Sequence, residues 1–126
     1  MAGLLKPIIY CVPYGNIGED AVAINLLLAE KLIKFKEDRR AMRLEQCFNQ
    51  VLKELPDGVV IKDFDVMFHP NYQVDVLKIM VMACKKKPFS VIWSGKYKDG
   101  KLFYAEEGYP DYKTFNVNEY DVTCII

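Results

Sequence analysis

The sequence predicts an α/β fold, a mostly parallel sheet joined by helical crossovers and followed by a C-terminal antiparallel hairpin. Three observations predict it. Short apolar, β-prone runs at residues 8–12, 59–61 and 89–93 read as strands buried on both faces. Between them, long stretches repeat apolar residues at helical spacing, which makes the connections crossovers. Asp99-Gly100, flanked by β-prone residues on both sides, is the signature of a type I′ hairpin.

The first run stops at Pro13, and residues 13–20 carry two glycines, a proline and an asparagine, the composition of a loop. Residues 21–24 form a short second strand. From there Ile24, Leu27, Leu28, Leu32 and Phe35 recur at helical spacing, with Asn25 as the expected N-cap and Phe35 near the end. The charged residues 34–40 read as a solvated connection between helices. Leu44, Cys47, Phe48, Val51, Leu52 and Leu55 then give the clearest amphipathic stripe in the chain, stopped by Pro56-Asp57-Gly58.

After the strand at residues 59–61, Lys62, Asp63 and Asp65 interrupt the apolar run before Val66, Met67 and Phe68 resume it. Residues 73–86 predict a helix that is apolar almost all round and therefore deeply buried. Lys85, Lys86 and Lys87 complement its C-terminal dipole, and Pro88 ends it. Ser94-Gly95 turns the chain out of the strand at 89–93. The remainder reads as β only, and the alternation of Tyr120, Val122, Cys124 and Ile126 predicts an antiparallel end that extends or caps the sheet.

At 126 residues the chain is one domain, with a βα core over residues 1–95 and an antiparallel extension over 96–126. Aromatics at 13% and charged residues at 27% exclude a disordered chain. Lysine plus arginine and aspartate plus glutamate number 17 each, a balance that argues against direct nucleic-acid contact, although a local patch fits inside a zero sum. Cys11, Cys47, Cys84 and Cys124 lie 36 to 40 residues apart without a C-x-x-C pair, as free thiols of a reducing compartment do. No secretory signal or long apolar span occurs, so a cytoplasmic protein without membrane contact is expected.

An apolar strand running into carboxylates is the device by which nucleotide-hydrolysing P-loop folds hold the water shell of Mg²⁺, which makes Asp63 and Asp65 metal candidates. On a strand, residues two apart share a face. The companion glycine-rich loop would be P-Y-G-N-I-G-E-D at residues 13–20, with Tyr14, Gly15 and Gly18 as nucleotide-binding candidates and Ser94 as a polar position at a strand end. Glu19 and Asp20 stand where the lysine and hydroxyl belong, and two carboxylates there repel a triphosphate. The reading is therefore a degenerate P-loop-like fold without a catalytic residue. A phosphoryl receiver fits less well, because Glu19 and Asp20 come too late after the first strand. A Cys–His nucleophile lacks partners, since His69, the only histidine, precedes Pro70 in a turn. Tyr97, Tyr104, Tyr109 and Tyr112 cluster with Phe103 around the hairpin, as a partner-binding face or as the hairpin's own core.

With these residues in view, the segment over residues 24–113 resembles the P-loop-type protein family of BREX phage-defence loci, the BrxF family. I-K-D-F-D-V-M-F-H-P at residues 61–70 is similar to a family run of apolar residues, Asp, a second acid, an apolar triplet and Pro. W-S-G-K-Y-K-D-G-K-L-F-Y-A-E-E-G-Y-P-D-Y at 93–112 is the more specific match, and R-R-A-M-R-L at 39–44 resembles the family's arginine-rich helix entry. The resemblance implies an ATP-binding fold inside a multi-protein complex that marks host DNA and blocks phage replication. The Walker A lysine and its helix, which the family implies, are missing here. The expectation is thus a non-catalytic assembly or regulatory subunit without a cofactor, whose partners are other defence-system proteins. Two alternatives stand beside it: a Mg-dependent, ATP-binding enzyme with an atypical phosphate loop, and an unrelated α/β interaction domain that forms a homodimer through residues 120–126.

Overall fold

Ile9, Ile61 and Val91 lie side by side on three parallel strands, each inaccessible to solvent, and they mark the centre of the fold. The computed structural model describes residues 7–11, 21–93 and 95–125. Five strands form the main sheet: β1 (Ile8–Tyr10), β2 (Val22–Ala23), β3 (Val59–Lys62), β4 (Phe89–Ile92) and β8 (Thr123–Ile125). Their order is β2-β3-β4-β1-β8, and every pair is parallel. The α/β class and the parallel sheet are as the sequence predicts.

Among the described residues, three helices supply crossovers. α1 (Asn25–Leu32) and α2 (Arg40–Lys53) join β2 to β3, and α3 (Val76–Cys84) joins β3 to β4. The stripe Leu44, Cys47, Phe48, Val51 and Leu52 is buried as its spacing requires, and Phe48 meets Phe89 of β4 edge-on at 5.7 Å. Each buried leucine, valine or phenylalanine of the stripe contributes ~1.5–3 kcal/mol. In α3 all but Lys78 and Met82 are buried, so its near-uniform apolarity does signal depth.

The helix ends differ from expectation in informative ways. Asn25 is the first residue of α1 and does not cap it, because its side chain is engaged elsewhere. Arg40, expected in a solvated connection, donates from Nε to the carbonyls of Leu32 and Phe35 at 3.2 and 3.1 Å and closes the C-terminal end of α1. Lys87 caps α2, donating to the carbonyls of Leu55 and Lys53 beside Asp57, in place of the expected support for its own helix. α3 starts at Val76 because Asp75 accepts from the Lys78 N–H at 3.1 Å, a cap that shortens the predicted helix.

β5 (Lys96–Lys98), β6 (Lys101–Tyr104) and β7 (Lys113–Asn116) form a second, antiparallel sheet. Asp99 and Gly100 have φ of 52° and 77°, the left-handed pair that a type I′ turn requires. Two features correct the sequence reading: a third strand, β7, follows the hairpin, and β8 returns to the main sheet parallel to β1. The antiparallel character therefore ends at Asn116.

Side-chain alternation divides the main sheet into unlike faces. Ile9, Val59, Ile61, Phe89 and Val91 point into the core with the helices' apolar residues. Ile8, Tyr10, Val60, Ile92 and Ile125 occupy the other face, are half-buried, and stand outside that core cluster.

Candidate functional site

Open parallel sheets bind ligands outside the carboxyl ends of their strands, where neighbouring connections leave in opposite directions. That place here lies between β1 and β4. β1 connects to β2 at one edge, whereas β4 connects through the antiparallel sheet to β8 at the other. The segments leaving the two carboxyl ends contain Tyr14, Gly15, Gly18 and Ser94, and all four lie outside the described residues.

Asp63 and Asp65 do not share a strand face, because β3 ends at Lys62. Asp63 is exposed in the left-handed region at φ 50°, and Asp65 opens a 3₁₀ turn over Asp65–Phe68. The Tyr104 hydroxyl donates to Asp65 Oδ1 at 2.8 Å, and Asn25 Nδ2 donates to Oδ2 at 3.4 Å. Asn25 Oδ1 in turn accepts from the Val66 N–H at 2.9 Å. The carboxylate is thus held as a joint between helix α1, the turn after β3 and the antiparallel sheet. Among the described residues no three His, Cys, Asp or Glu side chains gather around a point that would suit a metal ion.

The tyrosines separate into two roles. Tyr104 stacks on Phe68 with ring centroids 3.7 Å apart and planes within 7°. Burial first, and then the bond to Asp65, push its hydroxyl well above the ordinary tyrosine range, so it remains a proton donor. Tyr97 packs partly against the core, so these two serve the second sheet's own packing. Tyr109 is exposed, and Tyr112 lines a groove with Phe103 and Lys96.

The thiols are free, with Cys47 and Cys84 buried. Burial, reinforced by neighbouring Cys124, raises Cys11 to about 12, which keeps it protonated and a poor nucleophile.

One feature carries no motif and was missed in the sequence. Ala29, Leu32, Ile33, Arg40, His69 and Tyr72 enclose a cleft of about 520 Å³ between α1, the start of α2 and the turn after β3. That volume is in the small-ligand range, and the walls are mainly apolar. His69 is fixed there, accepting at Nδ1 from the Asn71 N–H at 3.2 Å and stacking on Tyr72 at 4.9 Å. Ile33 at the cleft and Leu26 of α1 stand 66% and 71% exposed.

No helix is long and apolar enough to cross a membrane among the described residues. No family model, curated protein or solved structure matches the chain.

Proposed function

We propose that the chain is a non-catalytic assembly or regulatory subunit, built on a degenerate P-loop-like domain and working through protein contacts in a BREX-type phage-defence complex. The observation that carries this reading is the unlike pair of faces on the main sheet. Parallel sheets are ordinarily covered by helices on both sides. Among the described residues, the helices' apolar side chains gather with one face, while Ile8, Val60, Ile92 and Ile125 present half-buried apolar surface on the other. Such a face fits an apolar helix supplied by a partner protein, in the place where the family resemblance implies a helix after the phosphate loop. The engagement of Asp65 by Tyr104 and Asn25 gives that carboxylate a structural use, tying α1 and the antiparallel sheet to the turn after β3.

Two measurements test this. A Val60→Lys variant should lose co-purification with the proteins of the same defence locus while its unfolding transition stays close to that of the parent. Calorimetric titration with Mg²⁺-ATP should give no binding isotherm.

The second reading, a Mg-dependent nucleotide-binding enzyme, draws on the opposed connections of β1 and β4. Saturable Mg²⁺-ATP binding that loses its Mg²⁺ dependence in Asp63→Ala would select it over the first.

A further inference from the structure

The antiparallel sheet turns one face inward and one to solvent. Tyr97, Leu102, Tyr104 and Phe115 alternate on the inner face, with Leu102 and Phe115 buried. The same alternation puts Lys96, Lys98, Lys101, Phe103 and Thr114 on the outer face. All three lysines are exposed, and no strand position of this face holds a carboxylate. Among the described residues none of the three forms an ion pair.

The register makes this concentration unfavourable for the isolated domain. Lys98 stands directly opposite Lys101, and like charges in facing cross-strand positions repel. An acidic residue at either position would relieve the repulsion and serve solubility equally well. Lys96 faces Phe103, a half-buried ring open on this side, and Tyr112 lies in the adjoining groove of about 420 Å³. The acids nearby are confined to loops: Asp99 in the hairpin turn, Glu106 and Glu107 at the groove, and Asp111 next to Tyr112 in the chain.

We infer that this face binds single-stranded nucleic acid, with the lysines on its phosphates and Phe103, aided by Tyr112, as the stacking surface for bases. Lys96 and Lys98 are two residues apart on one strand, about 6.6 Å, and Lys101 is one strand over, so an extended polyanion can cross all three. An acidic peptide would use the charge and leave the rings idle. The pairing of lysine with aromatic is what sequence-tolerant single-strand binders employ. The chain's zero net charge conceals the patch: no acid stands on a strand position of this face, and Asp99, Glu106 and Glu107 flank it from the loops.

The test is fluorescence polarisation of a labelled twenty-nucleotide oligo-dT with the full chain. Three phosphate contacts on a single strand give a log–log salt slope of about −2, or about a 20-fold weakening between 50 and 200 mM salt. Lys98→Gln with Lys101→Gln should weaken binding at least tenfold at low salt and bring the slope to about −0.7, with an unchanged circular dichroism spectrum. Absence of binding at 50 mM salt overturns the inference, as does equal binding by that double variant. Equal competition by poly-glutamate, or by a duplex of the same length, also overturns it, because the surface would then read charge without bases or strandedness.

Discussion

The Tyr104 hydroxyl lies 2.8 Å from Asp65 Oδ1, a bond that spans 39 residues of sequence and fastens the antiparallel sheet to the turn after β3. The ring below that hydroxyl stacks on Phe68 of the same turn, so one side chain joins the antiparallel sheet to it by both a polar and an apolar contact.

Removing only the hydroxyl should therefore have a bounded effect. Tyr104→Phe keeps the stack and should lower stability by about 1 kcal/mol, whereas Tyr104→Ala, which loses both, should lower it by about 3 kcal/mol. Urea denaturation of the two variants checks the difference. Equal losses would show that the bond to Asp65 dominates.

Gly95 is fixed by close approach. A Cβ there would lie 1.8 Å from the Phe103 carbonyl oxygen and 2.9 Å from Trp93 Nε1. Those two atoms hydrogen-bond to each other at 3.0 Å and seat the second sheet on Trp93. Gly95→Ala must push them apart and should destabilise the chain by at least about 2 kcal/mol, read as a lower urea midpoint. Gly100→Ala is a useful comparison: its φ of 77° strains the backbone, yet nothing lies within 4 Å of a Cβ.

Alkaline pH should loosen the fold. Cys11 has its thiol raised to about 12, and burial also raises Cys47, Cys84 and Cys124. In each case the folded chain holds its proton more tightly than the unfolded chain does. The stabilisation is full below the unfolded thiol pKa of about 8.5 and is lost as pH rises through the folded value. Tyr104 and Tyr120, each donating to a carboxylate, act in the same direction from about pH 10. The urea midpoint should fall steadily between pH 8.5 and 11, and Cys11→Ser should reduce the fall below pH 10. A flat profile across that range would contradict this assignment of burial to the thiols.

The core was legible because periodicity reports burial. The stripe from Leu44 to Leu52 and the apolar runs of β3 and β4 needed no partner to be read. What escaped was settled by distant contacts. Asn25 has the chemistry of a cap, but the Val66 N–H claims its carbonyl oxygen from 41 residues away. The alternation over residues 120–126 specifies a strand and is indifferent to its direction, so the parallel pairing of β8 with β1 could not be read from it. β7 is only four residues long with Phe115 as its one apolar residue, too little for a pattern to register. For the site, Asp63 and Asp65 were visible as a motif, whereas the joint that Asp65 makes with Tyr104 and Asn25, and the cleft beside His69, exist only once the chain has folded.

The position of β1 also dictates an order of assembly. Ile8 pairs with Ser90 on one side and with Thr123 on the other, so this strand gains hydrogen bonds only across very long loops. The loop-closure entropy of those pairings must be met before any contact repays it. β3, α3 and β4 are sequence neighbours and can condense first around Ile61, Met80 and Val91. Insertion of β1 into the gap beside β4 then becomes the late, slow event of folding. Mutations at Ile9 should mainly hasten unfolding, and those at Ile61 should slow folding itself.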